Sequence, residues 1–161
     1  MSMAEQPRGK KPPAKTVTRV DFGFASAAEF WDEVVLRAHS RFLGHQSRQH
    51  AIEAAWAAWH LHEWIWHDMH PGGKAAGADY TTFRDGLLAA CPELAWMRDV
   101  VDAAKHRTGT GKQKGVVSGS PAMEHVHAGT PLRIHVDGED CDFSDALERV
   151  ISWWRTHHFP S

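Results

Sequence analysis

Residues 51–70, AIEAAWAAWHLHEWIWHDMH, hold four of the eight tryptophans and four of the thirteen histidines in one run without proline or glycine. A helix of that length is about 30 Å long, roughly the diameter of a small domain, so the chain must be built around it. At about 100° per residue, Trp56, His60, Glu63, His67 and His70 fall within about 80° of one another. Read as the core-facing stripe, this set carries ring nitrogens and a carboxylate into the interior, and each needs a partner there. Metal binding, catalysis and plain hydrogen bonding each answer that demand.

The flanking punctuation predicts the other elements. Residues 1–17, with prolines among Arg8, Lys10, Lys11 and Lys15, read as a disordered basic tail, and residues 18–161 as one domain. Residues 17–24 read as a short strand or extended lead-in. Ser26-Ala-Ala-Glu29 matches a capping box and opens helix one, running to about Phe42. Helix two spans 47–70 and is stopped by Pro71-Gly72-Gly73. Helix three is expected from Thr82 to the Cys91-Pro92 step. Helix four runs to about Arg107, with Leu94, Met97, Val101 and Ala104 on its buried side.

Residues 108–115, TGTGKQKG, invite comparison with a phosphate-binding loop. His106 and Gln113 stand where the Walker pattern requires glycine and Ser or Thr, so the segment reads as a connecting loop. Beyond it the hydrophobic period falls to two. Strands are expected over 123–127, 132–136 and 139–143, with Asp137-Gly138 as a two-residue turn. Ser144 is the expected cap of a final helix reaching His158, carrying Leu147, Val150, Ile151 and Trp154 inward. The fold class expected is α+β, mostly α: a helical bundle with a small antiparallel β-meander and a C-terminal helix.

Net charge of −2 leaves no whole-chain field to draw the protein to nucleic acid or an anionic membrane. No apolar run approaches the ~18 residues of a membrane span, and the N-terminal residues are not a secretory signal, so a cytoplasmic location without a membrane partner is expected. Cys91 and Cys141 form no CxxC and read as two separate thiols. Cys91, before Pro92 at a helix start, is either a packing cysteine or a thiol of lowered pKa.

His60, Glu63 and His67 are spaced i, i+3, i+7 and project from successive turns of one face. Bundles assemble metal sites from such residues on facing helices, and imidazole with carboxylate suits zinc, iron, manganese or nickel. A second helix has to complete the set, and His106, with Asp102, is the expected donor. The plain alternative is hydrogen bonding within an aromatic groove, with Glu63 as the histidines' partner. His125 and His127, alternating on one expected strand, form a weaker pair of ligands.

Arg98, Asp102 and His106 make an i, i+4, i+8 ladder on helix four. Asp102 would orient His106 as a proton carrier while Arg98, Lys105 and Arg107 supply positive charge, which is the set RNA cleavage requires. A solvated salt-bridge face at a helix C-terminus explains the same residues. Trp56, Trp59 and Trp66 form a broad aromatic surface, suited to core packing and self-association or to stacking of RNA bases.

The text FRDGLLAACPELAWMRDVVDAAKHR resembles uncharacterised small bacterial helical proteins carrying an RD-x-x-N-A-x-K-H element, which in turn resemble the HEPN superfamily. The likeness covers about residues 26–107. It implies a compact helical bundle and, for an enzyme, an RNase with His106 as acid/base, Asp102 orienting it and Arg98 on phosphate. Asp102 stands where those relatives have asparagine. Seven residues separate Arg98 from His106, about 12 Å along the axis. Three functions are thus open: HEPN-like RNA processing or defence, a transition-metal site on His60, Glu63, His67 and His106, or a non-catalytic dimerising interaction module.

Overall fold

Helix α1 covers residues 27–44 and begins at Ser26, whose Oγ accepts from the Glu29 N–H at 3.2 Å. The Glu29 carboxylate returns to the Ala25 N–H at 2.7 Å, one residue beyond the usual capping-box partner. Asp68 comes from another helix to accept from the Ala27 N–H at 2.7 Å, so two carboxylates sit at the positive end of α1. In the computed structural model the described residues are 23–71, 77–105, 132–136 and 139–160. The expected basic tail, residues 17–22 of the lead-in, the 123–127 strand, the 108–115 loop, His106, His125 and His127 lie outside them.

Ala27, Trp31 and Val35 are buried at intervals of four. On an ideal α-helix that spacing drifts by about 80° over eight residues. Between Trp31 and Val35 the chain instead makes a π turn, with the Leu36 N–H reaching the Trp31 carbonyl. The wider turn absorbs the drift and keeps the three side chains on the core.

Helix α2, Arg48–Met69, is capped by Ser47, whose Oγ accepts from the His50 N–H at 3.1 Å. It packs against α1 and against two later helices, Glu93–Lys105 and Phe143–His157. Its buried face is largely alanine: Ala51, Ala54, Ala55, Ala57 and Ala58, with Leu61 and Ile65. The small side chains let neighbours approach the backbone. At Ala58 the approach is close enough for the Trp154 indole N–H to donate to the carbonyl at 3.1 Å.

Helix α3, Gly77–Ala90, starts five residues before Thr82, where the sequence placed it. Tyr80 and Phe83 lie 5.5 and 5.1 Å from the Trp66 ring, aromatic contacts that hold the extra turn. Helix α4, Glu93–Lys105, buries Leu94, Met97, Val100 and Val101. Ala104, expected inside, is exposed, because the row turns toward Val100 instead.

Strands β1, Arg133–Val136, and β2, Glu139–Asp142, pair antiparallel with Val136 opposite Glu139, leaving two residues for the expected turn. Helix α5, Phe143–His157, is capped by Asp142 and not by Ser144. The Asp142 carboxylate accepts from the Ser144 N–H at 2.7 Å, which moves the cap and the helix start two residues earlier. The mostly helical α+β fold follows: among the described residues, five helices surround an aromatic and alanine-rich core, with two paired antiparallel strands. No described helix is long and apolar enough to cross a membrane.

Candidate functional site

The buried residues of α2 occupy an arc of about 200° around the helix. Trp56, His60, Glu63 and His67 lie in the complementary arc, within about 60° of each other. Trp56, Glu63 and His67 are exposed and His60 is half-buried. The stripe read from the sequence as core-facing therefore faces outward. Trp56, Trp59 and Trp66 made that side look aromatic, but the alanines opposite pack closer to the other helices.

Within the outward row, His60 Nδ1–H donates to Glu63 Oε1 at 3.3 Å. That bond, more than burial opposing it, holds the Glu63 carboxyl below its ordinary range. The same tautomer leaves His60 Nε2 a bare acceptor, buried and without a hydrogen-bond partner among the described residues. His67 is exposed one turn further on. Among the described residues no three His, Cys, Asp or Glu side chains are arranged to hold a metal ion. His106, the remaining member of the expected ligand set, lies outside those residues.

The expected ladder on α4 takes a different form where it is described. Arg98 turns to its neighbour Asp99, placing Nε 3.0 Å and Nη2 2.9 Å from the same oxygen, Oδ1. Its guanidinium carbon stands 6.0 Å from the Trp59 ring centre, a cation–π distance. Asp102 pairs with Lys105 at 3.9 Å on the exposed side. Arg98 is thus brought onto α2, whereas Asp102 points away with the solvated charges. Partial burial raises the Asp99 carboxyl above its ordinary value despite the arginine beside it.

Between α2 and α3 lies a pair that the sequence reading passed over. His62, only 1 % exposed, donates from Nδ1 to the Trp59 carbonyl. A carbonyl only accepts, so the proton is on Nδ1 and Nε2 accepts from the Tyr80 hydroxyl, 2.8 Å away. Burial lowers the His62 pKa and raises that of Tyr80. The two shifts move the groups apart, so the proton stays on the phenol and both partners are neutral. Trp59, His62, Tyr80 and Trp66 form a continuous run of ring contacts, His62 lying tilted 4.2 Å from Trp59 and stacked 5.9 Å from Tyr80, and Tyr80 edge-on to Trp66. The recurrence Ala51, Ala54, Ala55, Ala58, Leu61, Ile65 was the signal that places His62 inside; nothing local marks Tyr80, the chain's one tyrosine, as its partner.

The remaining candidates are structural in their contacts. Cys91 is buried, and burial pushes its thiol up, as befits the packing cysteine and not the thiol of lowered pKa. Cys141 is a separate free thiol. His135 pairs with Asp140 across the hairpin at 2.9 Å. No family model, curated protein or solved structure matches this chain.

Proposed function

We propose that this chain is a non-catalytic interaction module that dimerises through the outward face of α2. The observation that carries the reading is Trp56. Trp59 and Trp66 on the same helix are buried, and Trp64 stacks on Phe30 at 5.1 Å. Trp56 begins the outward row, with 43 % of its surface exposed. That is roughly 100 Å² of indole, worth about 2.5 kcal/mol when removed from water. Half-exposed tryptophans of this kind are the residues that anchor protein interfaces.

Acid–base chemistry has less support. His62 and Tyr80 are both held neutral, Arg98 is engaged by Asp99, and Asp102 is engaged by Lys105. Sedimentation equilibrium of wild type and Trp56→Ala tests the reading, with circular dichroism as the check on folding. A dimer in the wild type and a folded monomer in the variant are expected. A dimer of unchanged affinity in Trp56→Ala would overturn it.

A further inference from the structure

Helix α3 lies over the side of α2 that carries His62 and Trp66, and it does so with little apolar burial of its own. Among its described side chains only Leu87 is buried; Tyr80, Phe83, Arg84 and Leu88 are half-buried. Helix α4, by contrast, buries four residues and α5 six. Leu87 stands in the last turn of α3, close to buried Cys91, and Tyr80 stands in the first. The Leu87 end is thus held by apolar burial. The Tyr80 end is held by ring contacts with Trp66 and by the hydroxyl's 2.8 Å bond to His62 Nε2. We infer that α3 is an acid-released lid: a second proton on the His62 ring frees its Tyr80 end from α2 while the other helices stay packed.

The hydrogen bond by itself does not force release, because the Tyr80 oxygen can accept from a protonated Nε2 as its hydroxyl donates to a bare one. The charge does. With α3 closed, His62 is only 1 % exposed, and an imidazolium there is cut off from water. The charges facing the ring offer little relief. From α2, Glu63 attracts the proton but is exposed and already bonded to His60, which repels it. From α3, Arg84 repels it. From α4, Arg98 stands 6.0 Å from the Trp59 ring centre, so the indole beside His62 already faces one cation. Among the described residues, α1 and α5 direct no charge at the ring. Lifting the first turns of α3 carries Arg84 away and admits water to Nε2, at the loss of far fewer apolar contacts than unfolding. Burial lowers the pKa of His62 beneath the closed lid, so the open form binds the proton more readily and gains on the closed form as pH falls below about 6.5. One proton limits that gain to about thirtyfold between about pH 7.5 and about pH 5.

Hydrogen–deuterium exchange of the full chain, resolved by peptide and corrected for the intrinsic pH dependence of amide exchange, tests the lid. In the wild type the slowest amides of 77–90 are expected to exchange at least about tenfold faster than the slowest of 143–157. Between about pH 7.5 and about pH 5 those α3 amides should speed up about ten- to thirtyfold. In His62→Gln that acid response should shrink to less than about threefold. Tyr80→Phe, which keeps the imidazole, should speed α3 exchange at about pH 7.5 by at least about fivefold. Where His62→Gln does not fold by circular dichroism, the wild type and Tyr80→Phe decide. Slowest amides of α3 and α5 that exchange together in the wild type would show that α3 opens only with the whole fold, which overturns the lid. So does a wild-type α3 without an acid response, an acid response undiminished in His62→Gln, or Tyr80→Phe exchanging at the wild-type rate.

Discussion

The Tyr80 hydroxyl donates to Nε2 of His62 at 2.8 Å, tying α3 to the buried side of α2. The Trp59 carbonyl takes the proton of Nδ1, so the imidazole has both nitrogens satisfied and its tautomer fixed. Such a pair holds two helices in register, since either partner alone would leave a buried polar atom unmet.

Tyr80→Phe removes the donor and strands His62 Nε2. An unfolding free energy lower by about 1–3 kcal/mol is expected, the penalty of an unsatisfied buried acceptor. Urea titration measures it. A change within about 0.5 kcal/mol would show that the bond contributes nothing net.

Stability should fall in mild acid. Burial lowers the pKa of His62 and of His158 in the folded protein, so the unfolded chain binds more protons as pH falls. Their contribution is complete above the ordinary imidazole value near 6.5 and is lost as pH falls through the lower folded values. Urea midpoints between about pH 7.5 and about pH 5 should decline, and less steeply in His62→Gln than in the wild type. Equal slopes would remove His62 from the account.

Two tryptophans should behave differently. Trp154 is fully buried and donates to the Ala58 carbonyl, so Trp154→Phe loses a hydrogen bond and leaves a void, at about 2–4 kcal/mol. Trp56→Ala, on the outward face but resting on Phe30 and His60, should cost the monomer about 1–3 kcal/mol while removing the dimer. Thermal melts at low concentration separate the two effects.

The HEPN resemblance carries its own test. For an interaction module, wild type and His106→Ala should leave a labelled RNA equally intact over hours at neutral pH. Cleavage by the wild type that His106→Ala abolishes, with unchanged thermal melting, would replace the present reading with an RNase.

Much of the helical skeleton was legible because its signals are local. Ser26 and Ser47 act as caps, Pro71 and Pro92 sit beyond helix ends, and two residues separate the paired strands. Where local signals compete, neighbours decided. Asp142 outcompeted Ser144 because its carboxylate reaches the Ser144 N–H. Helix α3 gained a turn because Tyr80 and Phe83 found Trp66. Arg98 abandoned the i+4 ladder because Asp99 and the Trp59 ring were closer partners.

The site divides in the same way. Periodicity alone determines that Trp56, His60, Glu63 and His67 share one face of α2, because helical geometry depends only on spacing. Whether that face turns inward or outward is set by which side packs closer to the other helices. Alanine's small side chain let the opposite side win, burying His62 against Tyr80 and leaving Trp56 in solvent. Spacing is a property of the chain; burial is a property of what the chain is packed against.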